Sequence, residues 1–219
     1  MPPQPSELIG FSRSKVSTLV ARKAGSHGPT TSDAIRRVGL ALIYKHGYET
    51  MNLRDLAREV GIQAGSLYNH ISSKQSLLFD LMRTHQESVL DGCRAALGDL
   101  TDPILQLRAF ARFHVSYHIT RKQDVYVGNF ELRSLEPDNY RFITEERRSY
   151  ELILIQIIEK GQKTGAFDAG DVKVAAYGIL AMLTGVCTWY SPEGGMDADS
   201  ITEIYVEMCL KSIKKELKS

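Results

Sequence analysis

The sequence predicts an all-α protein: an N-terminal three-helix helix-turn-helix domain followed by a larger helical bundle, about nine helices in all. From residue 30 almost to the end of the 219-residue chain, apolar residues recur at helical spacing. We find no convincing apolar–polar alternation of period two, the pattern typical of strands. Residues 1–74 carry ten Lys/Arg against five Asp/Glu, whereas the remainder carries 17 against 21. A basic third attached to an acidic body suits a module that binds a polyanion.

The first 29 residues contain four of the seven prolines, with Lys and Arg interleaved. This composition predicts a flexible basic arm. Such an arm would either add contacts to phosphates or be merely a disordered tail, and the sequence leaves both interpretations open.

Residues 30–81 are predicted to form the helix-turn-helix domain. Capping side chains at Thr30 to Asp33 precede a first helix over 32–46 that stops at Gly47. Asn52 caps a second short helix that ends at Gly61. A third short helix is predicted from about Ala64 to Ile71.

Residues 82–219 are predicted to form the larger helical domain. Ser72 and Ser73 cap a long fourth helix, and Asp102 with Pro103 opens a fifth, since proline is tolerated in a first helical turn. The remaining helices are predicted at about 124–134, 137–164, 171–190 and 198–216. Pro192, Gly194 and Gly195 separate the last two.

The segment 52–74 has the organisation of a helix-turn-helix. Gly61 provides a turn between two helices of about two turns each, because glycine adopts a left-handed backbone most easily. Small Ala57 allows the two helices to cross closely. The apolar residues that would lock them together are Leu56, Ala57, Ile62 and Leu67.

With those residues inward, the second helix would point a polar set outward. Between Ile62 and Asp80 there is no acidic residue, as a surface facing phosphates requires. Arg54 and Lys74 start neighbouring helices and could each reach a phosphate. The predicted DNA-contacting residues are Arg54, Gln63, Ala64, Gly65, Tyr68, Asn69, His70 and Lys74. A helical hairpin with a merely solvated face is the alternative; the coincidence of glycine turn, acid-free face and basic N-terminal third favours DNA.

The segment from Thr50 to Leu78 resembles the DNA-binding domain of TetR-type (tetracycline-repressor-like) regulators. The matching elements are Ala57 to Gly61, then Gly65, Leu67, Tyr68 and His70, then Ser73 and Lys74. Gln63 departs from the common Ser or Thr cap, and Ile71 from the common Phe. The resemblance implies contacts with double-stranded DNA at Gln63, Ala64, Gly65, Tyr68, Asn69, His70 and Lys74. It also implies that the C-terminal domain binds a ligand and forms a homodimer, so that each protomer reads half of a palindromic operator.

The last two long helices are the predicted dimer interface. The stretch 172–190 is rich in small residues, which permit close helix packing, and the final helix carries an apolar stripe that includes Ile204 and Met208. An ordinary intramolecular core would explain either helix alone but less easily both.

Residues 130–151 and 189–195 resemble a subgroup that responds to acyl-CoA thioesters of fatty-acid or steroid catabolism. Arginines in this region could hold coenzyme A phosphates; they are Arg133, Arg141, Arg147 and Arg148. Alternatively, they pair with neighbouring glutamates on helix surfaces.

An aromatic and imidazole set could line the effector pocket: Phe113, His114, Tyr117, Tyr126, Phe130 and Trp189, together with Arg133 and Arg147. An ordinary aromatic core is the alternative. His114 and His118 lie one helical turn apart, but no local third ligand accompanies them, so we predict a polar pocket lining or a surface pair and no metal site.

The predicted function is that of a ligand-responsive DNA-binding regulator, a repressor that a small molecule releases from its operator. The alternatives are a helical protein–protein interaction module and a regulator that responds to an unrelated apolar ligand such as a drug. No phosphate-binding glycine loop, Gly-x-Ser-x-Gly or His-Glu-x-x-His motif occurs, so we expect neither enzymatic activity nor a cofactor. Without a signal peptide or a long apolar run, we expect a cytoplasmic protein that does not enter a membrane.

The three cysteines are far apart and form no C-x-x-C pair. We therefore expect buried thiols rather than a zinc site or a disulfide.

Overall fold

The computed structural model describes residues 28–214, which form ten α-helices and one short 3-10 helix, with no strand in this range. The helices are α1 (Gly28–His46), α2 (Leu53–Val60), α3 (Ala64–Leu67), α4 (Lys74–Leu97), α5 (Pro103–Thr120), α6 (Lys122–Phe130), the 3-10 helix Leu132–Ser134, α7 (Pro137–Lys163), α8 (Val172–Thr184), α9 (Val186–Trp189) and α10 (Ala198–Ile213). The predicted basic arm lies outside the described residues, except that its last two positions begin α1.

The starts of α2, α4 and α5 follow the predicted capping residues, whereas α1 begins at Gly28, ahead of the predicted caps at Thr30 to Asp33. The Asn52 side chain accepts a hydrogen bond from Asp55 N at 2.8 Å. Ser73 and Ser76 form a reciprocal capping box at the start of α4, and Asp102 accepts from the first free amides of α5. Gly61 has φ +80°, the left-handed conformation expected of the turn.

Several element boundaries differ from the prediction: among them, the first helix starts at Gly28 rather than at residue 32, and the last ends at Ile213 rather than at residue 216. The third helix ends at Leu67 rather than Ile71, because His70 N and Ile71 N both bond to the Leu67 carbonyl and tighten the last turn. The sixth helix starts two residues earlier and changes to a 3-10 turn after Phe130. The stretch 171–190 is divided at Gly185, a residue that contributes no side-chain packing to hold one continuous helix.

Two hydrophobic clusters stabilise the fold. The N-terminal cluster joins α1–α4 with Val127, Leu135 and Ile143, which come from the C-terminal half of the chain. The bundle cluster joins α4, α5, α7, α8 and α10. Helix α4 belongs to both clusters and is therefore the rigid connection between the two parts. All three cysteines are free and buried, as expected.

Polar contacts reinforce this connection. Tyr48 N donates to Glu131 Oε1 at 3.0 Å, which ties the turn after α1 to the end of α6. The Gln75 side chain accepts from Glu136 N at 3.2 Å and donates to the Ser134 carbonyl. The helix-turn-helix is therefore fixed to the segment between α6 and α7 as well as to α4.

Replacing Gly61 by alanine is expected to lower the free energy of unfolding by about 1 kcal/mol, because a Cβ atom disfavours the left-handed backbone that the turn requires. Urea unfolding followed by circular dichroism measures the change. Gly65→Ala is the matched control: its φ is not positive and an added Cβ meets nothing within 4 Å. A Gly61 variant as stable as the Gly65 variant would contradict the expectation.

Candidate nucleic-acid interface and effector cavity

The crossing of α2 and α3 is built on buried apolar side chains. Leu56, Ala57 and Leu67 are almost fully buried, and Ile62 N donates to the Ala57 carbonyl at 3.0 Å. The scaffold of the predicted helix-turn-helix is therefore present, with its turn at Gly61.

Most of the predicted contact residues are exposed on α3 or directly next to its two ends. Gln63, Ala64, Gly65 and Asn69 are exposed, and Tyr68 is 59% exposed although it is a large aromatic residue. Arg54 is exposed at the start of α2. This surface combines a flat, small-residue centre with an amide and a phenol that can hydrogen-bond to phosphates or base edges.

Two predicted contact residues have other partners in this structure. His70 does not point outward: it is half-buried, and its Nδ1 lies 3.1 Å from Ser32 Oγ on α1. Lys74 donates to the Glu49 carbonyl at 3.0 Å, and its ammonium lies 4.3 Å from the centre of the Tyr48 ring. Both side chains orient the turn, because folding places α1 and the α1–α2 loop beside them.

A cavity of about 150 Å³ lies within the helical bundle, where α4, α5, α7 and α8 meet. From the predicted set, His114 and Arg147 line it, and the Tyr117 hydroxyl lies 3.1 Å from Nδ1 of the lining residue His85. The lining residues are His85, Gln86, Val89, His114, His118, Asn129, Arg147, Tyr150, Glu151, Leu180 and Thr184.

Stacked imidazoles form one wall of the cavity. The ring centres of His114 and His118 lie 3.8 Å apart, and the two rings are almost parallel. The two nitrogens of His114 lie 3.0 Å from Tyr150 Oη and 3.1 Å from Thr184 Oγ1. With hydroxyl partners on both sides, His114 is a polar wall residue, the first of the two predicted alternatives. Among residues 28–214 no group of three or more metal-ligating side chains is present.

Burial keeps these histidines neutral. It lowers the pKa of His85 to about 3, and the charges of His118 and Arg147 contribute in the same direction. It lowers the pKa of His118 to about 4 and that of His114 well below its usual value. Burial also raises the pKa of Tyr117 to about 12. At neutral pH the cavity therefore holds imidazoles and phenols without charge, beside the guanidinium of Arg147.

Six of the eight predicted pocket residues do not line this cavity: Phe113, Tyr117, Tyr126, Phe130, Arg133 and Trp189. Phe113 packs beside Tyr117, and Trp189 stacks on Tyr205 at the surface. Arg133 is exposed. Tyr126 and Phe130 pack together, and Tyr126 also meets Tyr44 of α1 edge to face.

Of the two roles predicted for the arginines, the ion pair on a helix surface is present for Arg141 but, within residues 28–214, not for Arg147. Arg141 pairs with Asp138 on the surface of α7, as the ion-pair interpretation predicts, although with another partner. Arg147 instead donates to the Gly128 carbonyl and to Asn129 Oδ1 at 3.3 Å. Sequence reasoning missed most of the lining residues, among them His85, Tyr150 and Thr184. A polar residue at position 85, close to the apolar stripe of α4, was the one signal that could have indicated the cavity.

Helices α8 and α10 present an uncovered apolar face. Val174, Tyr177, Ile204 and Met208 are between 45% and 69% exposed. The stretch Val172–Trp189 passes a test of length and hydropathy for crossing a membrane, but core helices of soluble proteins pass the same test, so this is weak evidence. An exposed apolar patch of this kind is typical of a protein interface.

Comparison with known families identifies the chain. A family profile described as "Tetracyclin repressor-like, C-terminal domain" matches residues 100–213, and one described as "Bacterial regulatory proteins, tetR family" matches residues 35–81. The chain belongs to the TetR family. The TetR-type resemblance and the all-α fold with an N-terminal helix-turn-helix are thus confirmed. This TetR-family protein is a ligand-responsive DNA-binding transcriptional regulator. TetR-family proteins are regulators rather than enzymes; the lack of catalysis in this one stays a prediction.

Several named regulators are similar to this chain in sequence or in structure. The HTH-type transcriptional repressor KstR2 of Mycobacterium tuberculosis (strain ATCC 25618 / H37Rv) is 23% identical over 179 residues, covering 80% of this chain and 89% of the repressor. A tetR-family regulatory protein from Rhodococcus RHA1 has a similar structure, with a TM-score of 0.80 at 27% identity, covering 85% of this chain and 98% of that one. The structure of AibR in complex with isovaleryl coenzyme A and operator DNA has a TM-score of 0.75 at 24% identity, covering 81% and 97%.

Proposed function

We propose that this TetR-family protein is a cytoplasmic homodimeric repressor that binds a palindromic operator through α2, the Gly61 turn and α3, and that an acyl-CoA thioester releases it. The observation that carries the DNA-binding part is the exposed, acid-free surface from Gln63 to Asn69 on a fully buried scaffold. Repression is supported by the similarity to KstR2, a named repressor. A protein–protein interaction module is disfavoured, because the surface is small and polar.

Tyr68→Ala is expected to weaken operator binding about tenfold to a hundredfold, because a base-edge or phosphate contact is typically worth about 1–3 kcal/mol. Fluorescence anisotropy with an operator duplex selected from random sequence measures the affinity. Phe130→Ala is the matched control, since that ring is equally exposed, at 59%, but lies on α6. Equal affinities of the two variants would remove Tyr68 from the interface.

The salt dependence of wild-type binding tests the function itself. A DNA-binding surface releases counterions, so affinity should fall steeply between 50 and 200 mM salt, on the order of a thousandfold for about six phosphate contacts. A protein–protein module would show no affinity for duplex DNA at low salt. That outcome would overturn the repressor proposal.

The uncovered face of α8 and α10 supports dimerisation. Tyr177 and Val174 on α8 lie on the same helical face as Gly178 and Ala181, and an added Cβ at Gly178 meets nothing within 4 Å. Ile204 and Met208 extend the apolar surface on α10. Two copies that pack these faces around a two-fold axis would bury them and set two recognition surfaces about 34 Å apart, one helical turn of DNA.

Tyr177→Glu is expected to shift the protein from dimer to monomer, because a carboxylate would be buried in an apolar interface without a partner. Sedimentation velocity measures the mass, and operator affinity should fall with it. Tyr140→Glu is the control: Tyr140 is exposed near the start of α7. A Tyr177 variant that remains dimeric would place the interface elsewhere.

The effector proposal has two supports. The chain resembles an acyl-CoA-responsive subgroup, and its fold is shared by a protein whose structure contains isovaleryl coenzyme A and operator DNA. The polar cavity lining disfavours the alternative of a purely apolar drug. The partly buried Arg147 lies at the cavity and could interact with the polar part of the thioester. Thioesters, but not the matching free acids with coenzyme A, should release the operator.

Two hydrogen bonds provide a path for release. Arg147 binds the Gly128 carbonyl near the end of α6, and α6 is followed directly by Glu131, which accepts from Tyr48 N. A ligand that draws Arg147 away would loosen α6 from the turn after α1. Together with a shift of α4, this would move the two recognition surfaces out of register.

A further inference from the structure

The wall of the cavity contains a hydrogen-bond acceptor that has no partner within the described part of the protein and is accessible to a ligand. His118 is 7% exposed, and its Nδ1 lies 2.7 Å from the His114 carbonyl. A carbonyl can only accept, so Nδ1 carries the proton. Because the pKa of this ring is lowered to about 4, the ring is neutral and Nε2 carries a lone pair. Within the described chain, no hydrogen bond to Nε2 is present.

The size and polarity of the cavity limit what can enter it. A volume of about 150 Å³ holds about five water-sized groups at about 30 Å³ each. Of the lining residues, only Val89 and Leu180 are apolar. Most of the polar lining groups already have protein partners, but a long unsubstituted acyl chain would cover His118 Nε2 without giving it a hydrogen bond, which costs free energy.

We propose that the effector carries a short acyl group with a hydroxyl, and that this hydroxyl donates a hydrogen bond to His118 Nε2. This inference rests on the proposed function, since it specifies which acyl-CoA thioesters act. The ligand class is therefore short-chain hydroxyacyl-CoA.

Other substituents fit the wall less well. A ketone oxygen is an acceptor and would face the lone pair of Nε2. A carboxylate would also lack a donor at this position and would approach Glu151, which lines the same cavity. A hydroxyl donates to Nε2 and can still accept from a neighbouring hydroxyl such as that of Thr184.

A matched series of thioesters tests the proposal. Butyryl-CoA, 3-hydroxybutyryl-CoA, 4-hydroxybutyryl-CoA and 3-oxobutyryl-CoA are titrated against the full-length protein by calorimetry and against its operator complex by anisotropy. At least one hydroxyacyl thioester is expected to bind the protein about tenfold more tightly than the plain and the oxo compounds. It should also release the operator at a concentration about tenfold lower, since one hydrogen bond to this acceptor is worth about one factor of ten.

Two variants connect the preference to His118. His118→Phe keeps a ring but removes the acceptor, so the tenfold preference should disappear. His118→Gln keeps an acceptor oxygen, and part of the preference should return. Melting curves establish that both variants are folded; if one is not, the wild-type ligand series alone decides.

The outcomes separate the two proposals. If the plain or the oxo thioester binds as tightly as both hydroxy compounds, or if His118→Phe retains the preference, the hydroxyacyl inference is wrong and the acyl-CoA proposal stands. If no thioester of any chain length binds, both are overturned. Hydroxyacyl selectivity that is lost in His118→Phe supports both.

Discussion

Acidification from pH 6.5 to pH 4 is expected to unfold this protein. Three histidines are neutral in the folded chain: His114 and His118 are buried, and His85 is partly buried. In the unfolded chain each regains a pKa near 6.5, so below that pH the unfolded state binds more protons than the folded state. Stability is therefore complete above pH 6.5 and decreases as the pH falls toward the folded-state values.

The expected size is large. For His118, a pKa change from 6.5 to about 4 corresponds to about 3 kcal/mol at pH 4, since one unit is about 1.4 kcal/mol. His85, with a pKa of about 3, contributes an amount of the same order, and the lowered pKa of His114 acts in the same direction. Their sum is comparable to the total stability of a typical domain, about 5–15 kcal/mol. The nearby Arg147 opposes protonation of His85 further.

Urea unfolding at a series of pH values between 7.5 and 4 measures this dependence. His118→Phe should flatten the curve by about one third, because one of three protonations is removed, whereas replacing the exposed His46 by glutamine should leave the curve unchanged. Stability that is constant down to pH 4.5 would contradict the neutral, buried state of these rings.

Replacing Gly161 by alanine is expected to cost about 3 kcal/mol, the upper part of the range for overpacking a core. A Cβ at this position would lie 1.9 Å from Cδ2 of Phe167, a ring that is 2% exposed. The ring cannot withdraw easily, because Phe167 N and Ala166 N both donate to the Gly161 carbonyl. The chain turns back just after α7 ends at Lys163, at Gly165, whose φ is +77°.

Thermal unfolding measures the cost, which corresponds to a fall in Tm of about 6–12 °C for a chain of this size. The double variant with Phe167→Leu should recover part of the loss, since the atoms that clash are removed. A Gly161 variant with unchanged Tm would show that α7 and the Phe167 segment can separate at little cost.

Local signals in the sequence predicted the fold well. Asn52, Ser73 and Asp102 act as helix caps in the structure because capping depends on backbone amides within three residues. The Gly61 turn was predictable for the same reason. The break at Gly185 was not predictable, since an isolated glycine inside an apolar helix is often tolerated.

The effector cavity was far less accessible to sequence reasoning. Its lining residues come from α4, α5, α7, α8 and Asn129 of α6, and only the packing of those helices decides which faces converge. His114 and Arg147 of the predicted set line the cavity, whereas Tyr126 packs against Tyr44 of α1 and Phe130 packs on Tyr126. The partners of His70 and Lys74 were missed because both are far apart in the chain from the residues they contact.

The shared packing around α4 has a practical consequence for building hybrid sensors. Exchanging DNA-reading heads between regulators by joining them near residue 82 would separate Val127, Leu135 and Ile143 from the N-terminal cluster they complete. It would also leave Glu131 facing a foreign loop in place of Tyr48. In a working hybrid, the residues at these four positions must therefore come from the same protein as the DNA-binding domain, or be compatible with it. The unit that is exchanged is discontinuous in sequence.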